Sequence, residues 1–243
     1  MDKIIQVPVQ QLAIIPRLKV NLGDQSQIVT NISSHRVYDE LIGSKIKPPA
    51  GLRHWHEEFD LSKSNIEVGF TQARICSKSS FDHSFQYKIM TQILPTNQYL
   101  ARYRIKDSDT CDKCQSSVDT ILHCLWQCQL VVPYVIRVLE YLKQKCNVQE
   151  NIDSLEYIFG FENNLALNHI LLELKKELFY NWDGDAAPNL FLERFIAKIR
   201  KVMIIEKQAI NSAKTFEYYA EKWAKFTNIY DFRGPDLNIL IIR

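Results

Sequence analysis

Apolar residues recur at helical spacing along most of the chain. In the stretch SSFDHSFQYKIMTQILPTN, Phe85, Ile89 and Ile93 follow one another in steps of four, which places their side chains on one face of an α-helix. Pro95 lacks the backbone N–H that a helix interior needs, so this helix should stop before it. Thr96 can then cap a second, short helix by accepting a hydrogen bond from a first-turn amide.

Three longer helices are predicted downstream. The first begins near Pro133, a residue that suits the first helical turn, and its buried stripe is Val135, Val138, Leu139 and Leu142. The second covers about 164–181, with one apolar face formed by Leu167, Leu171, Leu174 and Leu178. The longest runs from Leu190 to about Phe226, with a heptad-like seam at Ile199, Val202, Glu206, Ala209, Ala213, Phe216, Ala220 and Trp223.

The first 51 residues have a different pattern. Short β-prone runs are mixed with Pro, Gly and Ser and end at Pro48, Pro49 and Gly51, residues that interrupt regular structure. We therefore expect an irregular leader with one short helix near 37–42. The predicted fold class is mainly α, with strands confined to the leader and to the loop near the cysteines. The expected regions are a leader at 1–51, a helical segment with a zinc-binding region at 52–130, a helical carboxy-terminal region at 131–226 and a tail at 227–243.

Composition allows a sizeable core but identifies no ligand. Of the 243 residues, 46% are hydrophobic, which is ample for a buried core. The formal net charge is only +2, whereas nucleic-acid-binding domains usually carry a clear basic excess on one face. Binding to nucleic acid would therefore need a local basic patch.

The pattern of apolar residues also bears on the cellular compartment. The amino-terminal stretch MDKIIQVPVQQLAIIPRLKV contains no long apolar run, so neither a secretory signal nor a membrane span is predicted. We expect an intracellular protein, nuclear or cytoplasmic, with no membrane partner. In a reducing compartment, clustered cysteines are more often metal ligands or redox groups than structural disulfides.

The stretch CDKCQSSVDTILHCLWQC concentrates four of the six cysteines and one histidine. Cys111, Cys114, His123 and Cys128 follow the pattern C-x2-C-x8-H-x4-C. A C-x2-C turn lets two thiolates reach one ion, and four sulfur and nitrogen ligands suit tetrahedral zinc. Because no ligand position would remain open, the predicted zinc knuckle is structural rather than catalytic.

Two alternatives to this ligand set stay open. Residues five apart point well away from each other on a straight α-helix, so His123 and Cys128 can share an ion only if the helix from about Val118 ends near His123. Cys124, four residues before Cys128, would satisfy helical geometry and could replace His123. A thioredoxin-like dithiol at the C-x2-C pair would need a βαβ unit, which the pattern does not predict.

Basic and aromatic residues surround the start of the cluster. Cations neutralise phosphates and aromatic rings stack on unpaired bases, so this mixture favours single-stranded or structured RNA. Asp107, Asp109 and Asp112 offset part of the charge, and Trp126 is more typical of a residue that shields a metal site than of one that binds a base. The predicted nucleic-acid-binding residues are Lys88, Tyr99, Arg102, Tyr103, Arg104, Lys106 and Lys113.

Glu206 is the one carboxylate in the predicted seam of the longest helix. A buried carboxylate must be paired or protonated. We expect Lys175 or Lys176, on the preceding helix, to pair with it.

These motifs together resemble the zinc-binding region downstream of the reverse transcriptase in non-LTR (LINE-type) retrotransposon polyproteins. In that family an aromatic-Lys-apolar stretch and a Pro-Thr precede a CCHC cluster, and a Trp lies shortly before the last Cys. The helical tail of the same polyproteins is similar to segments farther along this chain, and the resemblance covers roughly 37–226. The matching stretches here are FQYKIMTQILPT, the cluster with Trp126, YIFGF, HILLELKKELFY and FIAKIRKVMIIEKQAINSAKTFEYYAEKW.

The resemblance implies a carboxy-terminal module that holds template RNA or target DNA for the polymerase part of the polyprotein. This chain lacks the aromatic-x-Asp-Asp sequence that places two carboxylates on paired metal ions for nucleotidyl transfer. The pairs Asp183 with Asp185 and Asp107 with Asp109 lie in polar, turn-forming stretches, so we expect no catalytic residues and no enzyme activity. The alternative function is a zinc-stapled scaffold whose apolar helices 131–146 and 164–226 dock on another protein.

Overall fold

The computed structural model describes residues 19–22, 25–28, 50–182 and 184–229. The helix predicted near 37–42 and most of the tail predicted at 227–243 lie outside these residues. The chain divides into two units, 1–48 and 49–243, which are described separately.

The described part of the first unit is a pair of antiparallel β-strands. Strands β1 (Lys19–Leu22) and β2 (Gln25–Ile28) pair antiparallel, with Lys19 opposite Ile28 and Leu22 opposite Gln25. Elsewhere in the described chain, β-pairing is limited to an isolated bridge between Thr110 and Val118. The described strands thus lie in the leader, and the loop near the cysteines contributes only this bridge.

The second unit is mainly helical. None of its described helices is both long enough and apolar enough to cross a membrane. In chain order the α-helices are α1 (Ala50–Glu58), α2 (Lys63–Cys76), α3 (Ser80–Met90), α4 (Asn97–Arg102), α5 (Val132–Cys146), α6 (Ser154–Phe159), α7 (Leu165–Tyr180), α8 (Pro188–Gln208) and α9 (Ala213–Trp223), with a π-helical turn at His123–Gln127 and a 3₁₀-helix at Ala224–Ile229.

Helix α7 lies at the centre of the hydrophobic core. It packs against α2, α3, α8 and the π-helical turn, and its predicted apolar face is fully buried, as is the stripe predicted for α5. Pro133 lies in the first turn of α5, and Asn147 ends that helix in the left-handed conformation. Both stripes therefore contribute to the core of this unit: Val135, Val138, Leu139 and Leu142 on α5, and Leu167, Leu171, Leu174 and Leu178 on α7.

Helix α3 ends earlier than the pattern predicts. It stops at Met90, and Gln92 adopts a positive φ of 59° that breaks the helix before Pro95 is reached. Ile93 is consequently 40% exposed instead of lying beside Phe85 and Ile89, while its neighbour Leu94 is buried. The cap at Thr96 is as predicted, because its hydroxyl accepts a hydrogen bond from the Tyr99 amide.

The prediction of a single long helix from Leu190 to Phe226 is wrong. The chain forms α8 and α9 with a break between them, where Ser212 caps α9 in a reciprocal capping box with Thr215. Beyond the break the seam residues Ala213, Phe216 and Ala220 are exposed, and only Trp223 among them is buried. The break also lets α9 pack back against α8.

Candidate metal centre and nucleic-acid surface

A tight loop presents the first two cysteines. The bridge between Thr110 and Val118 closes its base, and within it the Cys111 amide donates to the Ser117 carbonyl at 2.8 Å. The Gln115 amide donates in turn to the Cys111 carbonyl at 2.9 Å, and Gln115 itself has a positive φ of 55°. This turn points both thiols to one side, as the C-x2-C spacing predicts.

The second pair of ligands lies on the π-helical turn His123–Gln127. The Cys128 amide donates to the His123 carbonyl, five residues earlier, at 2.8 Å. One residue more per turn brings positions five apart onto the same side, which resolves the helical mismatch between the two residues. The helix does not begin at Val118, which pairs with Thr110, but at Ile121, and it continues through His123 as a π-turn instead of ending there.

The four predicted residues converge on a space that fits one metal ion. One ligand atom from each of Cys111, Cys114, His123 and Cys128 lies within 4.8 Å of the other three. The Cys111 and Cys128 sulfurs are 4.0 Å apart, and the Cys114 sulfur is 3.4 Å from His123 Nε2. A zinc ion with bonds of about 2.3 Å to sulfur in tetrahedral geometry needs sulfur–sulfur edges of about 3.8 Å. The residues present therefore fit such an ion.

Cys124 is not among these converging residues. Its buried sulfur instead lies 3.6 Å from the Lys113 ammonium. Burial raises the pKa of the Cys124 thiol to about 11, so the side chain stays protonated at neutral pH. The geometry favours His123 over Cys124 as the fourth ligand.

The two cysteines of the knuckle have opposite electrostatic environments. Burial raises the pKa of the Cys111 thiol to about 12. The Ser116 hydroxyl donates to the Cys114 sulfur at 3.2 Å and, as the main cause, lowers the pKa of Cys114 to about 6. A cation bound here would replace the thiol proton of Cys111, because only the thiolate is a good ligand.

Asn97 links this loop to α4. Its side-chain amide donates to the Thr110 carbonyl at 2.6 Å, and its backbone amide donates to the Asp119 carboxylate at 2.9 Å. The Lys106 ammonium completes the link by donating to the Asn97 side-chain oxygen at 2.9 Å and to the Asp112 carboxylate at 2.6 Å. The position of α4 therefore depends on the loop that carries the cysteines.

The seven predicted nucleic-acid-binding residues divide into three groups. Lys106 and Lys113 are engaged within the protein, since Lys113 donates to the Leu178 carbonyl at 3.1 Å and lies over the Trp182 ring. Lys88 is half-buried on α3, and Arg104 is exposed just after α4. The third group lines one groove beside α4: Tyr99, Arg102 and Tyr103.

Trp126 packs inside the protein beside the candidate metal centre. Its half-buried ring lies 4.9 Å from the ring of the buried Tyr157, measured between centroids. This contact joins the π-helical turn to α6. It is the packing expected of a residue that shields the cluster from water.

Glu206 pairs with different residues from those predicted. It accepts hydrogen bonds from the Lys222 ammonium at 2.7 Å and from Trp223 Nε1 at 2.7 Å, and it lies 3.3 Å from His169 Nδ1. The reversal between α8 and α9 brings Lys222 to this position. Neither predicted partner, Lys175 or Lys176, pairs with Glu206.

Each of those two lysines has its own buried polar partners, which the sequence pattern does not predict. Lys175 donates to Gln86 at 2.9 Å and to the Ile158 carbonyl at 3.1 Å, and burial lowers its pKa to about 7. Lys176 bonds to both Asp82 and Glu173. Asp82, Glu173 and His169 are close enough to share a metal ion, but the Lys176 ammonium already supplies a positive charge to the two carboxylates.

Comparison with known proteins adds no assignment, since no family model, curated protein or solved structure matches the chain.

Proposed function

We propose that this chain is a nucleic-acid-binding module with a structural zinc ion, related to the carboxy-terminal part of non-LTR retrotransposon reverse transcriptases. The observation that supports it most is the convergence of Cys111, Cys114, His123 and Cys128 within 4.8 Å. These residues are up to 17 positions apart in the sequence. Their order, Cys-Cys-His-Cys, is the same as in the CCHC cluster of that family.

Zinc is the metal that this donor set favours. Three thiols and one imidazole are soft or borderline ligands, and four of them complete a tetrahedral shell with no position for substrate. A bound zinc would crosslink the cysteine loop to the π-helical turn. The protein's own contribution is to hold α4 against that loop through Asn97.

RNA is the partner that the exposed chemistry favours, with target DNA as the second nucleic acid. Arg102, Tyr103 and Arg104 are exposed at the end of α4, the helix that Asn97 links to the cysteine loop, and the mixture of cations and aromatic rings is typical of surfaces that bind unpaired bases. The proposed role is to hold a strand for a polymerase elsewhere in the polyprotein, without a catalytic step of its own.

The alternative function, a protein-interaction scaffold, is less well supported. The helices that would dock on a partner, 131–146 and 164–226, comprise α5, α7, α8 and α9. The stripes of α5 and α7 are buried in the chain's own core, whereas Ile205 on α8 and Phe216 on α9 are 53% and 57% exposed. A partner would have to use other surfaces of these helices.

The proposal can be tested in two steps on one preparation. Native mass spectrometry with and without chelator should show one zinc ion per chain that the chelator removes. RNA binding of both samples should then weaken steeply as salt rises, since phosphate contacts release counterions. A chain that retains no zinc, or RNA affinity that is absent or insensitive to salt, would contradict the proposal.

A further inference from the structure

A groove of about 390 Å³ lies between α1, the segment after α3, and α4. This volume is in the range of small-molecule sites, roughly 300–1,000 Å³. Its walls bring together residues distant in sequence: Arg53 and His54 from α1, and Tyr99, Arg102 and Tyr103 from α4 and its end. The sequence pattern pointed only to the second set.

The groove combines exposed cations with an aromatic pair. Tyr103 is 59% exposed, and its ring centroid lies 4.8 Å from that of Tyr99, which is half-buried beneath it. Arg53 and Arg102 are exposed, and neither guanidinium has a carboxylate partner among the described residues. Glu57, a carboxylate in the lining, lies 3.5 Å from His54 Nδ1.

Close packing fixes the wall that α1 forms. Gly51 approaches the chain after α3 so closely that a Cβ at this position would overlap the carbonyl group of Thr91, so only glycine allows α1 to lie there. On the other side, the groove includes Ile121, the first residue of the turn that leads to His123. The groove therefore shares one wall residue with the segment that carries His123.

We propose that this groove binds one unpaired nucleotide of a single-stranded nucleic acid. The base would stack on Tyr103, supported by Tyr99, and the flanking phosphates would lie against Arg53 and Arg102. Stacking on tyrosine needs a base with a free face, and arginine binds phosphate through paired N–H donors. This inference rests on the proposed function and assigns the strand a place on the protein.

The test measures fluorescence anisotropy of a labelled single-stranded oligouridine with the full chain. Tyr103→Leu should weaken binding about 10-fold, because it removes a stacking platform, whereas Tyr103→Phe should bind as the wild type does. Arg53→Gln should lower the slope of log affinity against log salt by about 0.7, the value for one phosphate contact with a single strand. Lys214→Gln, at an exposed position on α9 outside the groove, is the matched control and should leave the salt slope unchanged relative to the wild type.

Competition experiments identify the form of the nucleic acid. Unlabelled single strands of RNA or DNA should displace the probe, and duplex RNA should displace it much less. If Tyr103→Leu and Arg53→Gln bind as the wild type does, or duplex competes equally, the groove is not the site, although the proposed function stands. If the wild-type chain binds no oligonucleotide at any salt concentration, both the proposed function and the groove are overturned.

Discussion

Cys124 and Cys128 are two thiols of one short segment with different surroundings. Cys128 lies 4.0 Å from Cys111, and Cys124 lies beside the Lys113 ammonium. We expect Cys128→Ser to lower zinc affinity at least about 10-fold, since serine is a poor zinc ligand at neutral pH. Cys124→Ser should keep one zinc ion per chain, with at most a loss of about 1–2 kcal/mol in stability from a buried hydroxyl.

Competition with a chromophoric zinc chelator measures both affinities. His123→Ala is the complementary variant, because it separates the two ligand sets proposed for the fourth position. Zinc loss in Cys124→Ser together with retention in His123→Ala would show that Cys124 is the ligand.

Glu206 gives a prediction for stability and its pH dependence. Burial alone would raise its pKa, but His169, the Lys222 ammonium and Trp223 outweigh burial and lower the pKa to about 2. The carboxyl group of an unfolded glutamate has a pKa of about 4.3. The ionised Glu206 therefore stabilises the folded state above that pH, and this stabilisation is lost as the pH falls towards 2. Glu206→Gln should lower the free energy of unfolding by about 2 kcal/mol at pH 7.

Urea unfolding at several pH values measures this effect. The difference between wild type and Glu206→Gln should shrink below about pH 4.5, and zinc stoichiometry should not change. Glu221→Gln, at an exposed position on α9, is the control and should stay within about 0.5 kcal/mol. Equal stability of Glu206→Gln and wild type at pH 7 would mean that the ion pair with Lys222 contributes nothing.

The elements show what the sequence can predict and where it stops. The stripe of α5 follows from local spacing, because a helix buried on one face repeats every three or four residues whatever it packs against. The stripe of α7 is only part of its buried surface, since residues 166–175 of that helix are all buried. The break before α9 carried a local signal as well, Ser212 followed by Thr215, but the continuing apolar spacing through Phe216 masked it. The reversal that follows the cap still buries Trp223 in the core.

The candidate site divides in the same way. The spacing of the two cysteines in the loop predicts their convergence, and the ligand set follows from residue types. The π-turn at His123–Gln127 could not be predicted, since a helix end followed by a loop satisfies the same spacing. The contact between Asp82 and His169 could not be predicted either. It depends on how α3 packs on α7, and no local sequence pattern indicates that packing.

Asn97 provides the prediction for the link between α4 and the cysteine loop. Asn97→Ala removes its bond to the Thr110 carbonyl and leaves that partly buried oxygen without a donor, at a cost of about 1–2 kcal/mol. We expect a lower melting temperature and weaker zinc binding, because the metal must then order the loop unaided. Gln98→Ala is the neighbouring control, since the bond from its backbone to Asp119 is retained. Equal zinc affinity in the two variants would contradict the link.

For the molecule as a whole, we expect the metal and the helical core to make separate contributions to folding stability. The largest fully buried side chains include Trp55, Phe85, Phe159 and Phe195, which lie outside the cysteine loop and the π-turn. Burial of each contributes on the order of 2–3 kcal/mol from the hydrophobic effect, so a helical core should survive metal removal. The loop, by contrast, has little apolar area of its own.

Chelation should therefore cause local opening and not global unfolding. We expect far-UV circular dichroism at 25 °C to change little, while the melting temperature falls, by about 2–4 °C for each kcal/mol lost in a chain of this size. Hydrogen exchange should accelerate at the amides of Cys111, Gln115 and Cys128, which are ordered by the loop and the π-turn, and stay slow in α7. Complete loss of helical signal on chelation would instead make the metal a condition for the entire fold, because the core would then be unstable without the loop.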